Sequence, residues 1–168
     1  FDERGHGFLM SEGGGLFLLK RLEDARRDGD TILGEILGID GSSEADSKTM
    51  VAPTKRAVRR AIRKVLAQAG VPAEEIGVAD VHGSANRASD IVEVQAIAEE
   101  LRGDSTDRPV LITAAKLHVG HLYGGSGVTS AISVLGSLNR RQVLVVRNYE
   151  RPLPEVREVQ DRARPSDR

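Results

Sequence analysis

A chain of 168 residues with 39% hydrophobic and 29% charged side chains is long enough for one domain with a sizeable core, and its composition is that of a soluble globular protein. A formal net charge of −1, 3% aromatic residues and no Trp argue against a nucleic-acid surface, which draws on positive field and stacking platforms. The lack of Cys excludes disulfides, a thiolate metal site and a thiol nucleophile within these residues. No apolar run approaches the roughly 18 residues of a membrane helix, and the N-terminus lacks the basic-then-apolar pattern of a signal peptide, so the expected location is cytoplasmic. Phe1-Asp2 reads as the middle of a domain, which points to a fragment or a processed subunit.

In chain order, residues 1–7 are polar and Gly-rich, and Phe8-Leu9-Met10 is a short apolar run before a turn at residues 11–15. Residues 16–19 are continuously apolar, the pattern of a strand buried on both faces. Residues 20–27 read as a short helix ended by Asp28-Gly29-Asp30, and residues 31–39 as a second strand. A polar loop over residues 41–54 ends in Thr54, a plausible N-cap for the clearest helix, residues 55–70. In that helix Ala57, Val58, Ala61, Ile62, Val65, Leu66 and Ala69 recur at three- and four-residue spacing, and Gly70 is a natural stop. Residues 76–81 predict a strand that delivers His82 at its end, residues 84–89 a loop, residues 91–101 a helix and residues 109–113 a strand. Residues 142–146 predict another strand, and residues 147–168, rich in proline and charge, read as a polar tail or linker with little to bury. Strands alternating with helices favour an α/β layered fold.

The densest chemistry lies in Lys116-Leu117-His118-Val119-Gly120-His121-Leu122-Tyr123-Gly124-Gly125-Ser126-Gly127, between an apolar strand and a helix over residues 128–138. A strand–turn–helix junction presents side chains at a strand's C-terminal end and backbone N–H groups at a helix start, both favourable to developing negative charge. Because His82 also follows a strand, both histidine clusters are expected at one edge of one sheet. Zinc needs three or four ligands; His118 and His121 with scattered acids make an incomplete set, and no metal is expected. The glycines at 13–15 and 124–127 are not followed by Gly-Lys-Ser/Thr and read as tight turns and close packing rather than a P-loop. His118 reads as a neighbour of the site, and His6 has no evident partner.

Four blocks, in register over residues 1–146, resemble the C-terminal half of a β-ketoacyl synthase, a thiolase-fold condensing enzyme of fatty acid and polyketide assembly. Phe1-Asp2 with Gly7-Phe8-Leu9-Met10-Ser11-Glu12-Gly13-Gly14-Gly15 resembles FD…GFV-x-GEGAG; Leu19-Lys20-Arg21-Leu22-Glu23-Asp24-Ala25 with Asp28-Gly29-Asp30 resembles the helix and turn after it. His82-Gly83-Ser84 with Asp90 and Glu93 resembles HGT…GD-x-x-E, and Lys116, Gly120-His121 and Gly124-Gly125-Ser126-Gly127 resemble K-x-x-x-GH-x-x-GAAG. The chain departs from the pattern at Ser84 and Asn86 (Thr in the family), at Ser89 (Gly) and at Ala114 and Ala115 (often Ser and Thr), and the family's nucleophilic Cys and closing Gly-Phe-Gly loop are not among these residues.

The resemblance implies a thiolase-like layered α/β half with a mixed sheet and packed helices, and decarboxylative condensation of acyl and malonyl thioesters. His82 and His121 match the family's active-site histidines, whose N–H groups stabilise an enolate oxygen. Each, taken alone, reads more readily as a hydrogen-bonded core or loop residue; two in matching blocks reverse that. By resemblance Lys116 holds the histidine geometry and pairs with Glu93, although Asp90 and Glu93 at a helix start also suit the helix dipole. Phe8 falls at the family's pocket gate, or is a buried strand residue. Arg59, Arg60 and Arg63 lie among six cations of one helix, which is a solvated face or a dock for an acidic acyl carrier protein. No cofactor is expected to bind; substrates ride on the phosphopantetheine of the carrier. The implied partners are that carrier and an N-terminal ketosynthase half or Cys-bearing subunit, in a homo- or hetero-oligomer, since half a layered sheet exposes edges and apolar faces. Alternatives are a non-catalytic, chain-length-factor-like subunit and a carrier-binding scaffold.

Overall fold

The computed structural model describes residues 1–44 and 53–167. The expected loop over 41–54 therefore falls largely outside the described residues, as does Arg168. Nine helices and strands are described. They are α1 (Leu22–Asp28), α2 (Lys55–Ala69), β1 (Val78–Asp80), α3 (Arg87–Arg102), β2 (Val110–Thr113), α4 (Lys116–Val119), α5 (Ser126–Arg140), α6 (Pro154–Arg157) and β3 (Ala163–Pro165). Among the described residues no helix is long and apolar enough to cross a membrane.

The strands form one parallel sheet in the order β1-β2-β3, with Val78 beside Leu111, Asp80 beside Thr113, and Val110 beside Ala163. Among the described residues the sheet is parallel rather than mixed. Parallel strands are normally covered by crossover helices, and α3 fills that role between β1 and β2. It buries Val94, Ala96, Ile97, Ala98 and Leu101 in a core that includes Val110 and Ile112 of the sheet. α2 lies over α3, with Ile62 and Leu66 of its apolar stripe packed on the same core. Its ends are those the sequence predicts: the Thr54 hydroxyl accepts the Ala57 amide, and Gly70 closes the helix in the left-handed region.

Several expectations are corrected. α3 begins at Arg87 because the Asn86 side chain accepts the Ala88 and Ser89 amides, so residues 87–89 are helix and not loop. α5 begins at Ser126, two residues before the expected start at Val128. Residues 142–146 form no strand; Val146 donates a single backbone bond to Ser166 at 2.6 Å. The expected tail is part of the domain. Leu153, Val156, Val159 and Ala163 are buried in the core, and β3 closes one edge of the sheet. Its buried residues are spaced singly among prolines and charges, which is why composition hides them.

Residues 16–19 and 31–39, expected as strands, pair with no other strand among the described residues. Leu16 is 98% exposed and Leu18 96%. These segments nevertheless sit on helices. Gly34 lies so close to α5 that a Cβ there would come 2.5 Å from Leu135, Asn139 donates to the Leu33 carbonyl at 2.8 Å, and the Gln68 side chain of α2 accepts the Ile39 amide at 2.8 Å. The backbone of residues 33–39 is thus seated, while Leu33, Ile36, Leu37 and Ile39 stay exposed.

Contiguous apolar exposure on this scale favours association. Sedimentation at micromolar concentration is expected to show the chain dimerised, complexed or aggregated; a clean monomer would contradict this. Leu153→Ala is expected to lower unfolding free energy by about 3 kcal/mol, read from the urea midpoint, as truncation at a buried core position does; an unchanged midpoint would return the segment to a tail.

Candidate active site

Parallel pairing brings the C-terminal ends of β1 and β2 side by side. The ladder runs one residue further, the Val81 amide donating to the Thr113 carbonyl at 2.9 Å, and His82 follows. Glu93 then fixes the loop: its two carboxylate oxygens accept the His82 amide at 2.8 Å and the Gly83 amide at 3.0 Å. Gly83 has φ of +47°, and a Cβ there would come 2.7 Å from that of Ala114, so this turn admits only glycine without strain. Asp90, one helical turn before Glu93, is buried, with one oxygen against the backbone nitrogen of Phe1 and the other without a hydrogen-bond partner.

The expected Lys116–Glu93 ion pair is not formed. Glu93 is committed to backbone amides, and Lys116 acts on the site through its charge. Lys116 opens α4, which is pinned by a residue the sequence reading passed over: Asp80 accepts the Ala115 amide at 3.1 Å. Burial raises the Asp80 carboxyl above its ordinary range, opposed by the nearby Ser130 hydroxyl and the Ala115 amide.

His121 is gripped on both sides of its backbone. Its amide donates to the Leu9 carbonyl at 2.8 Å and its carbonyl accepts the Ser11 amide at 3.0 Å, a parallel bridge that draws residues 8–11 alongside. The approach is close: a Cβ at Gly120 would come 2.7 Å from the Ser11 hydroxyl oxygen. Nδ1 of the ring accepts the Tyr123 amide at 3.0 Å. An N–H aimed at Nδ1 requires a lone pair there, which leaves the proton of the neutral ring on Nε2.

The two imidazoles meet at 5.3 Å between centroids, inclined by 76°. Phe8 stands 4.7 Å from His121 and is 44% exposed, so it is not a buried strand residue. Tyr123 stacks on His121 at 4.8 Å and 17°. His82 keeps an exposed edge, yet withdrawal of the rest of the ring from water lowers its pKa below the ordinary 6.5, and the charge of Lys116 and the neighbouring His121 act in the same direction. Burial and then Lys116 lower that of His121. Burial raises the Glu93 carboxyl, opposed by its two amide donors. With both imidazoles pushed towards their neutral form beside Lys116, the arrangement suits an oxygen that gains negative charge.

The other candidates lie apart. His118 bonds the Val145 carbonyl through Nε2 at 2.9 Å, and His6 is exposed. Among the described residues no three His, Asp or Glu side chains are placed to hold a metal ion. Arg59 pairs with Glu99 at 2.9 Å and with Glu100, and Arg63 pairs with Glu100 at 2.6 Å, stitching α2 to α3; Arg60 points to solvent.

Residues 33–150 match the family model of the β-ketoacyl synthase C-terminal domain. The chain is 35% identical over 156 residues to the polyketide synthase GfsA of Streptomyces halstedii, covering 93% of this chain and 2% of that protein. It is 39% identical over 132 residues to the highly reducing polyketide synthase tazB of Aspergillus terreus, covering 79% and 5%. Among solved structures, the oxazolomycin ketosynthase domain OzmH KS8 of Streptomyces albus JA3453 aligns with a TM-score of 0.92 at 26% identity, over 99% of this chain and 45% of that one. The ishigamide ketosynthase/chain length factor aligns with a TM-score of 0.81 at 30% identity, over 92% and 37%. The chain is thus a small part of the length of its curated relatives and less than half of these solved chains. Its α/β architecture is the thiolase-like one of the ketosynthases.

Both histidines are expected to titrate below 6.5 by imidazole NMR, and Lys116→Met, which removes a positive neighbour, is expected to raise both midpoints. Midpoints at or above 6.5 in the unsubstituted protein, or indifference to the substitution, would contradict the electrostatic account.

Proposed function

The chain belongs to the β-ketoacyl synthase family, as its C-terminal domain, and on that premise we propose that it supplies the enolate-stabilising half of a cytoplasmic condensing site. In this reading a malonyl thioester, carried on the phosphopantetheine of an acyl carrier protein, places its thioester oxygen before His82 and His121. The bond to the free carboxylate breaks, CO2 leaves, and the electron pair moves into an enolate whose oxygen accepts the two imidazole N–H groups. The enolate carbon then attacks an acyl thioester, and a cysteine thiolate leaves. That cysteine lies on a segment or subunit beyond these residues, which contain none. No cofactor is required; the carrier's phosphopantetheine arm brings the substrate.

The observation that supports this most directly is the pair of rings 5.3 Å apart, each with its pKa lowered by burial and by Lys116, and with the Tyr123 amide donating to His121 Nδ1. Lys116 disfavours a positive charge on either ring and adds its own field to the enolate. Phe8 screens the mouth of the site.

A second reading, a non-catalytic subunit that shapes a partner's pocket, draws on the likeness to a ketosynthase/chain length factor. The basic helix α2 supports a carrier dock less well, because Glu99 and Glu100 already occupy Arg59 and Arg63.

His121→Ala in the complete assembly is expected to slow malonyl-thioester decarboxylation about 100-fold, the cost on the order of 3 kcal/mol of removing one such donor. Decarboxylation indifferent to that substitution would favour the non-catalytic reading.

A further inference from the structure

His121 is held by more than its motif neighbours. Its Nδ1 lies 2.8 Å from the Ser126 hydroxyl oxygen as well as 3.0 Å from the Tyr123 amide nitrogen. The same hydroxyl oxygen accepts the Leu122 amide at 3.1 Å. An oxygen accepting one N–H, facing a ring nitrogen that already offers its lone pair to another, turns its own proton towards that nitrogen. Nδ1 is therefore bracketed by two donors. Ser126 opens α5 and is 6% exposed, so its hydroxyl reaches the ring and not a substrate. Tyr123 has a positive φ of +50°, its amide donates to Nδ1 and its ring lies flat on the imidazole. Such a backbone conformation is disfavoured for a bulky residue and persists only where the surroundings impose it.

We propose that Ser126 is a positioning residue: with the Tyr123 amide and ring it clamps His121 as the Nε2–H tautomer, its donor fixed towards the reacting oxygen. The groups that face the ring are His82 at 5.3 Å, Phe8 and Tyr123, with Lys116 acting through its charge; among the described residues no carboxylate hydrogen-bonds to the ring. The clamp thus relies on neutral donors at Nδ1. The catalytic consequence rests on the enolate-stabilising reading of His121, but the tautomer does not.

The test is imidazole nitrogen NMR on the complete assembly labelled at histidine, beside the decarboxylation rate. The unsubstituted protein is expected to show His121 protonated on Nε2 alone. Ser126→Ala is expected to move the Nδ1 resonance, raise the titration midpoint of His121 and slow decarboxylation roughly 10-fold, the usual cost of losing a group that orients a functional imidazole. Ser126→Thr, which keeps the hydroxyl, is expected to retain the original nitrogen pattern. A proton on Nδ1 in the unsubstituted protein, nitrogens unmoved in Ser126→Ala, or a Thr variant indistinguishable from Ala would overturn the proposal. If the nitrogen pattern holds while decarboxylation ignores His121→Ala, the functional reading fails and the clamp stands.

Discussion

The site depends on the parallel register of β1 on β2. Setting Asp80 beside Thr113 brings two loops, some forty residues apart in sequence, off the same edge of the sheet within contact distance of each other. A shift of one residue would turn every strand side chain to the opposite face and carry His82 away from His121. The register is held by the core: Val110 and Ile112 are buried against α3, and β3 pairs along the far edge of β2. Strand ends are natural ligand sites in parallel sheets; here His82 follows the end of β1 directly, and His121 comes after β2 by way of α4.

Around that frame the acids work on the backbone. Glu93 holds the His82–Gly83 turn by two amides, and Asp80 holds the start of α4 and hence Lys116. Neither neutralises the lysine directly. This leaves Lys116 free to disfavour protonation of both rings, whereas a tight Lys116–Glu93 pair would have spent that charge on the carboxylate. Glu93 is itself raised by burial, so two amide donors compensate a carboxylate in a partly dry setting.

Much of this was legible in the residues. Thr54 and Gly70 bracket a 3.6-residue apolar repeat, so α2 could be drawn to within a residue. His82 and His121 each follow a strand pattern in a glycine-containing block, which is enough to anticipate their meeting. What stayed hidden has physical reasons. The runs at 16–19 and 31–39 have strand composition, but pairing is a non-local property and no partner strand lies within the described residues. Leu153, Val156, Val159 and Ala163 are too dispersed among charges to show periodicity, yet tertiary packing buries all four. The resemblance paired Glu93 with Lys116 but could not show that its carboxylate accepts two backbone amides instead. Ser126 carried no signal at all beyond being a hydroxyl near a helix start.

The half-site nature of the chain is the central claim, and one measurement bears on it most directly. The assembly isolated from its native source would be treated with iodoacetamide, with and without prior exposure to an acyl thioester, and its labelled peptides identified by mass spectrometry. A composite condensing site predicts one reactive cysteine, on a segment or subunit outside these 168 residues, that the acyl thioester protects from labelling. An assembly with no such protected cysteine would contradict it.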